Sequence, residues 1–146
     1  MKDSDIEVLN SIVKYCNDID SLMKKYNSSF ETYETDISFQ YSCNMCIIQI
    51  GELVGRLSDE FIEGVKHIPW HAIKGMRNLH AHDYENVDLE IVWNSLTEDI
   101  PEKYKKMLAS EITAEKQRLF QEIKSKPTEK RVKKTGCKKN IVFNFS

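Results

Sequence analysis

Residues 4–26 read SDIEVLNSIVKYCNDIDSLMKKY, a run in which Ile6, Leu9, Ile12, Val13, Cys16, Ile19 and Leu22, with Met23 and Tyr26, recur at steps of three and four. That spacing puts the apolar side chains on one face of a helix. Ser4-Asp5-Ile6-Glu7 has the Ser-x-x-Glu form of a capping box at its start, and Asn27-Ser28-Ser29 breaks it. The same period returns through Phe39, Cys43, Cys46, Ile47, Ile50, Leu53, Val54 and Leu57. Gly51 and Gly55 lie inside this second series, where a missing Cβ lets another helix come close at a local cost in helix propensity. Ser58-Asp59-Glu60-Phe61 opens a short helical turn that Gly64 ends, and Pro69 suits the first position of a helix over about 69–79 carrying Trp70, Ile73 and Met76 inward. Asp88 is placed to cap a helix bearing Leu89, Val92, Trp93 and Leu96. Pro101 is expected to open the last long helix, with Tyr104, Met107, Leu108, Ile112, Leu119, Phe120 and Ile123 as its apolar side. The expected architecture is all-α, an antiparallel helical bundle of about five helices over residues 1–123, followed by a basic C-terminal tail at 124–146.

Composition agrees. The 146 residues are 40% hydrophobic and 30% charged, a globular balance in a chain long enough for one core. Five scattered glycines leave no Gly-rich phosphate loop. No stretch approaches eighteen consecutive apolar residues, so no membrane span is expected, and the polar start carries no secretory signal. A cytoplasmic location follows as the expectation, with Cys16, Cys43, Cys46 and Cys137 reduced. Cys43 and Cys46 form one Cys-x-x-Cys inside an apolar stripe with no second ligand pair, which reads as core packing rather than metal or redox chemistry. His67 and His71 stand four apart, but Pro69 between them argues against a shared helical metal face, so no metal site is expected. The net charge of -2 hides an asymmetry. The tail carries +7 and the body -9, and an acidic body opposes any broad nucleic-acid-coating surface.

The one segment without helical amphipathicity is Asn78-Leu79-His80-Ala81-His82-Asp83-Tyr84-Glu85-Asn86. If the chain runs extended beyond Leu79, His82 and Tyr84 share a face, with Arg77 beside them from the last helical turn. Arg supplies a permanent cation whose fork matches phosphate, and His a proton donor and acceptor near neutral pH. Those groups suffice to cleave RNA without a metal: the ribose 2'-hydroxyl attacks the adjacent phosphorus, His moves a proton and Arg stabilises the charge that develops. On spacing alone a second reading stays open, a polar loop whose Arg caps a helix and whose histidines satisfy buried carbonyls.

Arg77-x4-His82-x-Tyr84 has the R-x4-H-x-Y form of the HEPN superfamily, and the surroundings resemble its HepT-like branch. Those surroundings are Ile50-Gly51-Glu52, Leu57-Ser58-Asp59-Glu60-Phe61, Ile68-Pro69-Trp70, Gly75-Met76-Arg77-Asn78, Val87-Asp88-Leu89-Glu90-Ile91-Val92-Trp93 and Asp99-Ile100-Pro101. The resemblance covers about residues 4–110. It implies an all-α homodimer with motif segments facing each other across the interface. It also implies an endoribonuclease toxin of a HepT/MntA-type, type VII toxin–antitoxin pair, cutting RNA (transfer or messenger) without metal or other cofactor. Its implied partner is an MntA-like nucleotidyltransferase antitoxin that adds AMP to the motif tyrosine, with a larger hetero-oligomer of the two as a further implied assembly. Carried over by position, Arg77 and His82 are the catalytic pair, Tyr84 is the AMPylation target, and Asn78 binds phosphate or orders the loop. His80 stands where apolar residues are common in the branch, as a supporting group or an interface histidine. Asp83 stands where many members carry Gly, and a carboxylate there repels phosphate. The alternative function is a non-catalytic, nucleotide-binding partner subunit of a minimal nucleotidyltransferase. A purely structural helical dimer ranks behind both.

Overall fold

A computed structural model of the chain describes residues 3–78 and 88–126. His80, His82, Asp83 and Tyr84, and the tail from 127 onward with Cys137, lie outside the described residues. Helix α1 spans Asp3–Lys25, α2 Phe30–Thr35, α3 Ile37–Val54, α4 Asp59–Gly64, α5 Trp70–Gly75 and α6 Leu89–Asn94. A π-helical segment, Ser95–Tyr104, joins α6 to α7, Lys105–Ser125. No strand occurs among the described residues, and the fold is all-α, consistent with a HEPN-like helical bundle. No helix among them is long and apolar enough to cross a membrane. Two compact units separate, Met1–Ile112 and Thr113–Ser146, and everything that follows concerns the first.

Helix α1 ends where Asn27 and Ser28 both take positive φ, 58° and 49°, a conformation that stops a helix. Ser29 then caps α2 through Thr32 N–H, and Asp36 caps α3 through Phe39 N–H. The sequence pattern missed α2, whose six residues are too few to show a period. Its Tyr33 is fully buried, donates its hydroxyl to Asn44 Oδ1 at 2.8 Å, and receives Gln40 Nε2 on its carbonyl at 3.1 Å. Its ring packs on Phe39 and Trp93, which in turn meet Tyr26 and Phe30, as stacked, tilted and edge-on pairs.

Helices α1 and α3 run antiparallel. Asp5 at the start of α1 reaches Ser58 just past α3, while Asp18, Ser21 and Leu22 line a groove with Tyr41, Ser42, Met45 and Cys46. Leu9, Ile12, Cys16 and Ile19 meet Phe39, Cys43, Ile47 and Ile50 in one buried core that also takes Ile73, Val92, Leu96, Ile100 and Leu108. Lys105 binds Asp20 at 2.8 Å and ties the start of α7 to α1.

Pro101 does not open a helix. It sits inside the π segment. Proline has no N–H, and its ring collides with the carbonyl four residues earlier, so an α-helical turn cannot form around it. The wider turn relieves that clash, and Lys105 N–H bonds Ile100 O, five residues back. Leu96, Ile100 and Tyr104 stay buried through this turn, so the helical path continues where the proline pointed to a boundary. Pro69 likewise occupies the N-cap rather than the first turn of α5.

Asp5 is 1% exposed, and its carboxylate accepts from Ser58 N at 2.8 Å and Ser58 Oγ at 2.7 Å. Ser58 Oγ in turn accepts from Phe61 N and caps α4. Replacing Asp5 with Ala takes the acceptor from the half-buried Ser58 N–H and hydroxyl, which costs about 1–3 kcal/mol. The expected outcome of Asp5→Ala is a melting temperature lower by several degrees in a circular-dichroism melt, with helical content at 20 °C unchanged.

Candidate functional site

The site forms where α5 crosses the last turns of α3. Trp70 opens α5 buried, its indole N–H donating to Val65 O at 2.9 Å and its ring packed edge-on to Phe61 of α4. Ile73 and Met76 are buried below it, so the exposed side of α5 carries His71 and Lys74. The helix ends at Gly75, and Arg77 follows in a turn closed by its N–H to Lys74 O at 3.3 Å. The helix therefore ends about four residues before the expected end of that element, and Arg77 lies beyond it.

Gly51 makes the crossing possible. A Cβ built on it would fall 2.6 Å from Arg77 Cβ and 3.2 Å from Lys74 O. Gly55, one turn later, faces only the Lys74 Cε end at 3.9 Å and the carbonyl of its own Glu52. Of the two glycines expected to admit a helix, Gly51 does so.

Next to Gly51, Glu52 accepts from Arg77 Nη1 at 2.8 Å. The arginine side chain is 33% exposed and the glutamate 46%. At that exposure an ion pair contributes about 0–1 kcal/mol to stability, so its effect is orientational. The guanidinium is held at the C-terminal end of α3, where the helix dipole favours a cation, and it keeps access to solvent. Asn78 is exposed beside it. Nothing in the motif alone marks Glu52. The signal available was its place directly after Gly51, on the helix that Arg77 crosses.

The structure thus describes Arg77 and Asn78 and places them together at this crossing. His67 and His71 are exposed, and no group of three or more His, Cys, Asp or Glu placed to hold a metal ion occurs among the described residues. Cys16, Cys43 and Cys46 are free and buried. Burial pushes the Cys16 and Cys43 thiols up to about 12 and Cys46 up to about 11, helped by Asp20 beside Cys16, Cys46 beside Cys43, and Asp18 beside Cys46. They stay protonated at neutral pH and are core residues.

Helix α3 has a second apolar stripe. Ile37, Tyr41 and Met45 are 65%, 53% and 56% exposed. On a helix of 3.6 residues per turn they fall with Ile48 and Glu52 within about 80° of one another, so this stripe ends at the Arg77 partner.

Residues 12–109 match the family model described as Ribonuclease HepT-like. Two relatives named "Putative RNase" are similar over shorter spans. The first (MJ1216), from Methanocaldococcus jannaschii, is 32% identical over 94 residues, covering 64% of this chain and 76% of the relative. The second (TTE0752), from Caldanaerobacter subterraneus subsp. tengcongensis, is 34% identical over 79 residues, 54% of this chain and 70% of the relative. "Probable ribonuclease HepT" of Thermococcus cleftensis is 31% identical over 72 residues, 49% of this chain and 66% of the relative. No solved structure matches the chain significantly.

The two glycines give different expectations. Gly51→Ala forces α5 or Arg77 to shift and destabilises by about 1–3 kcal/mol. Gly55→Ala, at the C-cap of α3, brings its methyl to 3.2 Å from the Glu52 carbonyl and near a flexible lysine end, so it costs less than Gly51→Ala, within about 1 kcal/mol of wild type. Urea unfolding of the two variants checks the order.

Proposed function

The chain belongs to the Ribonuclease HepT-like family, and on that premise we propose that it is an endoribonuclease whose cation is Arg77. The observation that carries the reading is the placement of Arg77: fixed at its Cβ by Gly51, held at one nitrogen by Glu52, and one-third open to solvent. An arginine built for a structural ion pair alone would need no such opening, and a guanidinium with free N–H edges matches a phosphodiester.

In this reading the 2'-hydroxyl of one nucleotide attacks its own 3'-phosphorus. The bond to the next nucleotide's 5'-oxygen breaks, leaving a 2',3'-cyclic phosphate and a 5'-hydroxyl. His82 moves the proton between the attacking and departing oxygens, and Arg77 stabilises the charge on the phosphoryl oxygens in between. Every atom is accounted for without a metal ion, so activity is proposed to be metal-independent. Asn78 and His80 support substrate binding. Tyr84 is the proposed site of AMP addition by an MntA-like nucleotidyltransferase antitoxin. An AMP group there would set a phosphate against Arg77 and fill the RNA site, which gives the toxin–antitoxin relation a physical basis. The family likeness and the residues of the motif support these roles, and His82 and Tyr84 are assigned from the motif alone.

A homodimer is part of the proposal. The uncovered stripe Ile37, Tyr41, Met45 supports it, because an apolar row of this kind costs free energy in water and its covering by a second copy would place two Arg77 sites near one interface.

The deciding experiment is cleavage of single-stranded RNA and transfer RNA in EDTA by protein whose mass excludes added AMP. Cutting is expected to persist in EDTA and to fall at least 100-fold in Arg77→Ala and in His82→Ala, with RNA binding retained by the latter. No cutting by unmodified protein on either RNA would favour the non-catalytic nucleotidyltransferase-partner reading. Separately, Tyr41→Lys combined with Met45→Lys should shift the wild-type dimer to monomer in sedimentation velocity while helical content stays constant.

A further inference from the structure

We infer that Glu52 is a positioning residue for Arg77, holding the guanidinium so that its remaining N–H edges face an incoming phosphate; this rests on the ribonuclease reading above. An arginine side chain has four rotatable bonds between backbone and fork, and a free one spreads over many rotamers. Here both ends are fixed from one helix. Gly51 accepts the Cβ, which a methyl in its place would approach to 2.6 Å, and the neighbouring Glu52 accepts Nη1 at 2.8 Å. Residues adjacent in sequence thus clamp the root and the tip of the same side chain.

A single-point bond is suited to this purpose. Guanidinium has five N–H donors in a rigid plane. Among the described residues, the bond from Nη1 to Glu52 Oε1 uses one of them, which sets the orientation of the plane without engaging the other donors. A bidentate carboxylate would fix the plane equally well but would consume the edge that a phosphate needs. The charge of Glu52 opposes RNA binding, because a carboxylate beside the phosphate site repels it. Positioning and binding therefore pull in opposite directions at this residue, and kinetics can separate them. Losing orientation should lower kcat, because a misplaced catalytic group costs on the order of 10- to 100-fold. Losing the negative charge should not raise KM.

The test is steady-state cleavage of a short single-stranded RNA by full-length wild type, Glu52→Ala, Glu52→Gln and Arg77→Ala, with melting temperatures measured alongside. Glutamine keeps an oxygen at the acceptor position without the charge, and it is the variant to rely on should the alanine protein fail to fold. The expected result is kcat lower by 10- to 100-fold in Glu52→Ala with KM no higher than wild type, and kcat within about threefold of wild type in Glu52→Gln. Arg77→Ala is expected to be inactive. Glu52→Ala at the wild-type rate beside an inactive Arg77→Ala would overturn the positioning role and leave the nuclease reading standing. So would a loss confined to KM, or a Gln variant as slow as the Ala variant. Full activity in Arg77→Ala would overturn the assignment of Arg77 as the catalytic cation, and this proposal with it.

Discussion

The crossing of α3 and α5 at Gly51 is the constraint on which the site depends. Two helices ordinarily keep 8–10 Å between axes because side chains stand between them. At Gly51 there is none, and the backbone of α5 and the Cβ of Arg77 occupy the space a methyl would fill. What holds α5 there is a succession of buried contacts. Asp5 of α1 grips Ser58, Ser58 caps α4, Phe61 of α4 meets Trp70, and Trp70 is anchored by its own hydrogen bond to Val65 O. A position at the first turn of α1 is in this way connected, through α4, to the placement of the guanidinium at the last turns of α3.

Helix α3 serves two environments. One face is buried among α1, α2 and α5, and contains Asn44, a polar side chain made tolerable there by the Tyr33 hydroxyl it accepts. The other carries Ile37, Tyr41 and Met45 in the open and ends at Glu52. The same helix thus carries part of the core, the partner of Arg77, and an exposed apolar row.

The acidic body is less of an obstacle to an anionic substrate than its net charge implies. Coulomb attraction at a few ångströms is governed by the nearest groups, and charges farther away than about 10 Å are screened by salt. At the crossing, Arg77 sits at the negative end of the α3 dipole with Lys74 passing beside Gly55. Among the described residues, the carboxylate paired with Arg77 is that of Glu52, already engaged by the arginine. Local cation placement, and not overall charge, sets what the site attracts.

The repeating three- and four-residue steps of apolar residues determined by themselves that this chain is helical, where α1 and α3 lie, and most of the apolar residues that they bury. Burial of an amphipathic face is a local consequence of spacing, so pattern is enough. The motif Arg77-x4-His82-x-Tyr84 and its flanks pointed to the family whose model matches residues 12–109, because a motif and its flanks are read directly in sequence order. Three things escaped the linear reading. Helix α2 is too short to show a period. The π turn around Pro101 depends on Leu96, Ile100 and Tyr104 remaining buried, which makes continuing the helix with a wider turn preferable to ending it. The pairing of Glu52 with Arg77 joins residues 25 positions apart, and no local rule selects one carboxylate among 23. Only the tertiary structure decided that, because the partner is fixed by where two helices cross, and the crossing is fixed by Gly51, which leaves no side chain between them.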